Sequence, residues 1–240
     1  MRWLLATVAE TVPEAANAVS LRLDLATWPG HRAGQHVDVR LTAEDGYSAQ
    51  RSYSIASRPG ADRLELTVVR LADGEVSPYL TSVLEVSDQL ELRGPIGGYF
   101  VWDAADTRPV VLVGGGSGVV PLMAMLRHHA ALGHQGAMHL VYSVRTQQDI
   151  LYRAELEGLV NEHRAVTITL TREPPSGWSG RRGRVDSDLL SELGWPPADE
   201  PHCYICGPTS FVEAAANALV ALGHKSANIR TERFGPTGGR

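Results

Sequence analysis

Residues 110–118 read VVLVGGGSG, an apolar run that passes directly into four glycines and a serine. The run predicts a buried strand, and helical periodicity begins near Pro121. Glycines between a strand and a helix let the backbone approach a phosphate, and the helix start offers free N–H groups to it. The loop therefore predicts a dinucleotide site, although Val119 or Pro121 stands where G-x-G-x-x-G requires its third glycine. A tight turn without a ligand is the alternative.

Outward from this loop, the C-terminal half alternates apolar strands with helical segments. The predicted strands are Val110–Val113, Met138–Val144, Val166–Leu170, Cys203–Ile205 and Asn228–Thr231. The predicted helices lie near Pro121–Leu132, Ile150–His163, Asp186–Leu193 and Ser210–Leu222. We interpret the Pro- and Gly-rich piece Pro174–Gly183 as a long loop. This alternation predicts an α/β domain built on a doubly wound parallel sheet.

The first hundred residues consist of short strand-like pieces separated by turn signals such as Pro29-Gly30. The pieces are Trp3–Ala9, Val19–Leu25, Gln35–Leu41, Arg51–Ala56, Leu64–Arg70 and Gln89–Leu92. Six strands interrupted by one short helix, about Ser77–Leu84, predict a small antiparallel β-barrel. The rhythm changes in a polar stretch near residue 105, so we predict two domains, residues 1–104 and residues 105–240.

Composition excludes several classes of protein. The chain has 240 residues, 43% of them hydrophobic, with a net charge of −5 and a pI near 6.0, so nucleic acid is not an expected partner. No apolar run reaches the ~18–20 residues of a membrane span, and no signal peptide is recognised, so we expect a cytoplasmic protein. The histidine spacings predict no metal site, and we expect the adjacent His128 and His129 to be solvated.

Cysteine usage limits redox chemistry. Cys203 and Cys206 are the only cysteines, which excludes a disulfide scaffold and a four-cysteine iron-sulfur cluster carried by this chain alone. Their C-x-x-C spacing lies on a predicted strand, where positions three apart face opposite sides, so a thioredoxin-like pair is rejected. Cys206 follows the strand at the sheet edge where α/β proteins bind ligands. A packed core thiol is the alternative for this residue.

Two motifs in the predicted barrel offer phosphate-binding chemistry. In Arg-Ser-Tyr-Ser at residues 51–54, alternation puts Arg51 and Tyr53 on one face, so a guanidinium lies beside a ring that can stack on a planar group. Gly-Glu-Val-Ser at residues 74–77 opens the short helix with backbone donors. The alternatives are a surface arginine beside a half-buried tyrosine, and an ordinary helix capped by Ser77.

The coenzyme can be predicted from charge. NAD sites commonly place an acid at the end of the second strand, whereas NADP sites place arginine near the 2′-phosphate. Here the second and third predicted sheet strands end in Ser143-Val144-Arg145 and Thr171-Arg172, without an acid at either end. NADPH is therefore predicted in preference to NADH. The alternative is that these arginines are solvated or paired with Asp149 and Glu155 on the surface. The candidate phosphate ligands are Ser143, Arg145, Arg153 and Arg172.

Five motifs in sequence order make the chain similar to the ferredoxin-NADP reductase family. They are Arg51-x-Tyr53-Ser54, Gly74-x-x-Ser77, the loop Gly114–Gly118, Cys206-Gly207-Pro208 and Glu232-x-Phe234. The resemblance covers nearly the whole chain. It implies a flavin-binding antiparallel barrel followed by an NAD(P)-binding α/β domain, with no iron-sulfur domain of its own.

On the flavin side, the resemblance implies that Tyr53 packs on the ring, that Arg51 binds the phosphates and that the Ser54 hydroxyl lies near flavin N5. Phe234 is similar to the aromatic residue that often covers the exposed flavin face. The residues that would complete the pyrophosphate cradle are Arg70, Gly74, Val76 and Ser77. A diphosphate cradle favours FAD over FMN.

On the nicotinamide side, the resemblance places Cys206, with Gly207 and Pro208, against the nicotinamide near the site of hydride transfer. Glu232 is similar to a carboxylate near the flavin–nicotinamide junction. We therefore name Ser54, Cys206 and Glu232 as the candidate catalytic residues. The loop residues that would take the coenzyme are Gly115, Gly116, Ser117 and Gly118.

The leading functional hypothesis is a flavoprotein oxidoreductase that passes hydride from NADPH to bound FAD and then single electrons to a separate partner. The partner would be a separate protein, since this chain cannot hold a four-cysteine cluster alone. We expect a ferredoxin, a monooxygenase or another redox enzyme, and the resemblance also allows a molybdenum enzyme. One alternative is an NAD(P)H:flavin reductase that uses flavin as a substrate. Another is a noncatalytic electron-transfer subunit of a larger complex.

Overall fold

The chain forms two compact units in a computed structural model that describes residues 2–192 and 195–234. The first unit takes the described chain up to Trp102 together with Met123–His128, and the second takes Asp103–Leu122 and the chain from His129 onward. One helix over Val119–Ala131 therefore contributes residues to both units. The functional boundary after residue 104 stays a prediction.

The first unit is an antiparallel β-barrel. Its strands are β1 (Leu4–Ala15), β2 (Ala18–Leu25), β3 (His36–Thr42), β4 (Ser48–Ser54), β5 (Leu64–Val69) and β6 (Gln89–Ile96). They pair in the order β4-β3-β6-β1-β2-β5, with antiparallel neighbours throughout. An antiparallel bridge between Ile55, which follows β4, and Leu66 of β5 joins the two ends of this order. The predicted barrel is confirmed.

The barrel core follows from alternation along the strands. Leu21 and Leu23 of β2 are fully buried, whereas Arg22 between them is partly exposed, as expected when successive side chains face opposite sides. Helix α1 (Ser77–Ser82) adds Leu80 to this core. The helix ends two residues before the predicted Leu84, because the N–H groups of residues 83 and 84 both bond to the Tyr79 carbonyl.

One carboxylate on β5 is buried in the first unit with two arginine partners. Glu65 is 7% exposed and accepts hydrogen bonds from Arg22 Nε at 3.1 Å and Arg127 Nη1 at 2.6 Å. Arg127 belongs to the helical segment Met123–His128 of the same unit, and its Nη1 also donates to the Ala56 carbonyl at 2.9 Å. This buried pair attaches the helical segment to the barrel wall.

The second unit is the predicted doubly wound α/β domain, which is confirmed. Its strands are β7 (Val110–Gly115), β8 (Met138–Val144), β9 (Arg164–Leu170), β10 (Arg181–Arg182), β11 (His202–Pro208) and β12 (Ile229–Phe234). All neighbours are parallel in the order β10-β9-β8-β7-β11-β12. The helices are α2 (Val119–Ala131), α3 (Arg153–Leu159), α4 (Ser187–Ser191) and α5 (Thr209–Ala221).

Two local expectations in this unit are wrong. The predicted loop Pro174–Gly183 contains β10, since the Gly183 N–H bonds to the Leu170 carbonyl and the Thr169 hydroxyl donates to the Gly183 carbonyl. Helix α3 is shorter than the predicted Ile150–His163, because Tyr152 adopts φ 56° at its N-cap and the backbone is extended again at its C-cap. The predicted end of the α4 segment at Leu193 lies outside the described residues.

The histidine expectation is also corrected. His129 is 1% exposed, and its Nε2 lies 2.7 Å from the Gly136 carbonyl oxygen, so it is a core residue and not a solvated one. Within residues 2–192 and 195–234, no group of three or more His, Cys, Asp or Glu side chains could hold a metal ion. None of the helices that the structure describes is long and apolar enough to cross a membrane.

Candidate functional site

The flavin-side candidates of the first unit start at the end of β4. Cross-strand pairing sets Arg51 opposite Val39 and Tyr53 opposite Val37, so both lie on one face of the strand. Tyr53 is half-buried against the barrel core, and burial raises the pKa of its hydroxyl to about 12. The strand end thus presents an exposed guanidinium, a neutral phenol ring and, at Ser54, a partly exposed hydroxyl.

The turn before α1 is held by a side chain from the helix itself. The Leu71 N–H donates to Ser77 Oγ at 3.0 Å, and the Gly74 N–H donates to the Leu71 carbonyl at 3.0 Å. The alternative reading of Ser77 as the helix cap is wrong, because Val76 occupies the cap position and the Ser77 hydroxyl bonds to the turn. A Cβ at Gly74 would lie 2.8 Å from Ser77 Oγ, so the turn needs glycine there.

The same turn carries a residue that the sequence interpretation missed. Glu75 Oε2 accepts a hydrogen bond from Arg51 Nη2 at 2.5 Å, and Glu75 Oε1 accepts one from the Tyr47 hydroxyl at 2.7 Å. The Tyr47 bond, and then Arg51, hold the pKa of Glu75 below its usual range. The opposite charges of Arg51 and Glu75, in two motifs already singled out, were a signal that these motifs meet.

Arg70 stands in sequence immediately before Leu71, the first residue of this turn. It follows β5, and it lines a cavity of about 210 Å³ together with the hairpin between β1 and β2 and with Thr81 and Ser82 of α1. Its backbone N–H donates to the Asn17 carbonyl at 2.7 Å. Among the described residues, no hydrogen bond or ion pair joins its side chain to Arg51 or Ser77. Its place in the phosphate cradle stays a prediction.

The glycine loop of the second unit divides into packed and open positions. A Cβ at Gly118 would lie 2.0 Å from the Cys206 carbonyl oxygen, and one at Gly115 would lie 2.8 Å from the Phe211 ring. Gly116 instead has φ +56° with no atom within 4 Å of such a Cβ, and Ser117 beside it is partly exposed. Close packing therefore explains two glycines, whereas Gly116 and Ser117 are open to a ligand.

Cys206 and Glu232 are neighbours at the carboxyl end of the parallel sheet. Strand register pairs Cys206 with Gly114 on β7 and with Glu232 on β12. Burial, and then the Glu232 carboxylate, raise the pKa of the Cys206 thiol well above its usual value. Cys203, on the opposite face, is also a free buried thiol whose pKa burial raises to about 12. Both cysteines are thus neutral, and neither has the thiolate character of a redox pair.

The residues after Cys206 complete this edge. Gly207 and Pro208 end β11, where they pair with Arg233 and Phe234 of β12. A Cβ at Gly207 would lie 2.7 Å from the Phe211 ring, so this position also needs glycine. Phe234 is 37% exposed and is the last residue of β12. Packing against Phe211 thus explains the glycine at position 207, and the Phe234 ring remains accessible.

Glu232 titrates near neutral pH, because burial raises its pKa to about 7. The folded state therefore binds a proton that the unfolded state releases between about pH 4.5 and pH 7, so stability falls with rising pH across that window. We expect Glu232→Gln to be more stable than the wild type by about 1–3 kcal/mol at pH 8 and to match it at pH 4.5. Urea unfolding at both pH values measures this, and an equal gain at both would contradict it.

Arginines cluster where β8, β9 and β10 end. The Thr171 N–H donates to the Val144 carbonyl and the Arg172 N–H to the Arg145 carbonyl, so Arg145 and Arg172 are backbone neighbours. Strand β10 adds Arg182, opposite Leu170, with a distance of 3.8 Å to Glu173. Sequence reasoning missed Arg182 because its stretch was interpreted as a loop. Ser143 is 7% exposed, and Arg153 pairs with Glu157 at 3.3 Å.

Known families match both units. The family described as "Oxidoreductase FAD-binding domain" matches residues 6–101, and "Oxidoreductase NAD-binding domain" matches residues 112–217. Among solved structures, the Flavohem-like FAD/NAD-binding domain of nitric oxide dioxygenase from Vibrio cholerae is similar with a TM-score of 0.87 and 27% identity. That match covers 97% of this chain and 99% of the other.

Two curated relatives illustrate the range of similar proteins. The chain is 37% identical over 210 residues to ferredoxin–NADP reductase B of Sorangium cellulosum, with 84% of each chain covered. It is 34% identical over 211 residues to the glycine betaine monooxygenase reductase subunit of Chromohalobacter salexigens. That match covers 86% of this chain and 56% of the relative, so the chain spans little more than half of that protein's length.

Proposed function

The chain belongs to the ferredoxin-NADP reductase family of FAD- and NAD(P)H-dependent oxidoreductases, and from this premise we propose that it passes electrons from NADPH through FAD to a separate redox protein. The observation that carries the proposal is that each unit has the groups for a different cofactor. The barrel presents a ring beside a guanidinium, and the parallel sheet presents an open glycine loop at its carboxyl end. Bound FAD would supply the step from hydride to single electrons.

The donor set of the first unit fits a flavin dinucleotide. Arg51 offers a cation for a phosphate, Tyr53 offers a neutral ring for a planar group, and Ser54 offers a hydroxyl at the strand end. We propose these three residues as the main flavin ligands. The tight turn at Gly74, Val76 and Ser77 would complete the phosphate contacts, with Arg70 beside it.

The second unit would bind and orient the nicotinamide coenzyme. Gly116 and Ser117 leave room for its diphosphate, and Cys206 offers a neutral, polarizable side chain at the strand end. Glu232 beside it holds or releases a proton near neutral pH. Gly115, Gly118, Gly207 and Pro208 would fix the backbone of this edge, and Phe234 would be the aromatic cover.

We propose NADPH as the preferred coenzyme, because the carboxyl ends of the middle strands carry Arg145 and Arg172 without a strand-end acid. Arg172→Ala should raise the KM for NADPH about tenfold and leave the KM for NADH within twofold, since only NADPH carries the 2′-phosphate. Arg182→Ala should act in the same direction. Steady-state kinetics with both coenzymes measures the effect.

The matched control is Arg181→Ala. Arg181 lies on the same strand as Arg182, but Glu192 already pairs with it at 2.7 Å and 3.1 Å, so its removal should change neither KM more than about twofold. An equal loss with NADPH and NADH in Arg172→Ala would overturn the coenzyme assignment.

The relatives support a separate acceptor, because one of them is the reductase subunit of a monooxygenase. We propose a ferredoxin, a monooxygenase component or a molybdenum enzyme as the acceptor. The test of the whole proposal is an anaerobic visible spectrum of the purified protein before and after one equivalent of NADPH or NADH. Bound flavin that NADPH bleaches faster supports the proposal. A colourless protein that reduces added flavin would instead identify a flavin reductase.

A further inference from the structure

The Arg51 guanidinium, which we propose binds the flavin phosphate, is already paired with a carboxylate. Arg51 Nη2 donates to Glu75 Oε2, while the Tyr47 hydroxyl donates to Glu75 Oε1 at 2.7 Å. Arg51 Nη1 is engaged as well, through the Gln50 carbonyl at 2.7 Å. A phosphate that approaches this guanidinium therefore meets a fixed negative charge bonded to the same group.

The charge on Glu75 persists under the conditions in which flavin binds. The Tyr47 hydrogen bond, and then Arg51, keep the pKa of Glu75 below its usual range, so its carboxylate is ionised at neutral pH. The Arg51 and Glu75 side chains are 53% and 49% exposed, so water and salt moderate the repulsion without removing it. Glu75 thus adds a screened but permanent repulsion toward any anion at Arg51.

We propose that Glu75 selects the flavin by the charge density of its phosphate and disfavours FMN more strongly than FAD. A phosphate monoester carries about −1.5 to −2 at pH 7, because its second pKa is about 6. The diphosphate bridge of FAD carries a similar total charge spread over two phosphates, so the phosphate at Arg51 carries a single negative charge and the other lies farther from Glu75. Coulomb repulsion grows with the product of the charges, so one carboxylate costs the monophosphate more. This inference rests on the proposed function, which sets flavin phosphate at Arg51.

Tyr47 acts through Glu75 as a positioning residue. Its hydroxyl fixes the second carboxylate oxygen, and its backbone N–H is held by Asp45 Oδ1 at 2.9 Å. This arrangement keeps Glu75 on Arg51 rather than turned into solvent. We therefore expect Tyr47→Phe to weaken the discrimination between FMN and FAD without removing it.

The test uses three flavins that differ in phosphate charge: riboflavin, FMN and FAD. The full chain, freed of bound flavin, is titrated with each by fluorescence, as wild type and as Glu75→Gln, whose amide oxygen still accepts from Arg51. We expect the Kd for FMN to fall about fivefold, the Kd for FAD about twofold or less, and that for riboflavin not at all. The improvement in FMN affinity of Glu75→Gln over the wild type should be smaller at ~1 M salt, where the screening length is about 3 Å.

The matched control is Glu91→Gln. Glu91 pairs with Arg40 at 2.7 Å on β6, so this variant makes the same change in net charge on the same unit. Its ranking of the three flavins should equal that of the wild type. If Glu75→Gln leaves FMN binding unchanged or improves all three flavins equally, the selection by Glu75 is overturned while the proposed function stands. If the wild type binds none of the flavins, the proposed function itself fails.

Discussion

The Gly118→Ala variant should be about 3 kcal/mol less stable to unfolding than the wild type. Its bound flavin should be reduced by NADPH at least tenfold more slowly. The added Cβ would lie 2.0 Å from the Cys206 carbonyl oxygen and 2.8 Å from the Gly207 backbone nitrogen. These are backbone atoms of β11, so no side-chain rotation can relieve the overlap. The carboxyl end of the strand must shift, and Cys206 shifts with it.

The control for this prediction is Gly116, an open position of the same glycine loop. Gly116→Ala meets no atom within 4 Å, but the residue has φ +56°, so only backbone strain of about 1 kcal/mol is expected. Urea unfolding compares the stability of the two variants, and anaerobic stopped-flow measures flavin reduction for Gly118→Ala alone, since Gly116 faces the proposed diphosphate. Equal losses in the two variants would mean that β11 does not constrain the loop.

Glu65→Met should destabilise the first unit by about 3–5 kcal/mol. The substitution removes the Glu65 carboxylate from the Arg127 guanidinium, whose side chain is 15% exposed, and puts an apolar group in its place. Removing one carboxylate from a largely buried guanidinium costs more than the pair itself contributes, because the desolvation of the guanidinium is less well compensated. Arg22, the second partner, is 41% exposed and can return to water. Urea unfolding measures the loss.

Two controls separate charge burial from simple loss of an ion pair. Asp24→Asn breaks an exposed ion pair, in which the Arg63 side chain is 47% exposed and the Asp24 side chain 55%. This variant should lose less than about 1 kcal/mol of stability. The double variant Glu65→Met/Arg127→Met removes both charges and should recover most of the loss. A double variant as unstable as the single one would show that packing, and not charge, sets the cost.

Much of the fold could be predicted because it is written in local patterns. Buried Leu21 and Leu23 flank a partly exposed arginine and identify a barrel strand, and an unbroken apolar run before the glycine loop identifies a parallel strand. These patterns depend only on neighbouring residues. The two sheets follow from them, and both are confirmed.

The unpredicted features join residues that are distant in sequence or too few to form a pattern. Arg51 and Glu75 are 24 positions apart, and Glu65 and Arg127 are 62 positions apart, so no local spacing signals either pair. Strand β10 has two residues, which is too short for a period. His129 resembled a surface histidine by type alone, and only tertiary packing shows that it is buried.

Helix α2 contributes residues to both units, which limits how the two units could be exchanged independently in evolution. It starts in the second unit, but its segment Met123–His128 is counted with the barrel, where Arg127 meets Glu65. A recombination event that exchanged the barrel at residue 104 would bring in a new wall and keep the old helix. The buried carboxylate and its arginine would then come from different parents. Mutations at these two positions should therefore be fixed together, and an exchange that keeps this pair from one parent needs a breakpoint outside residues 65–127.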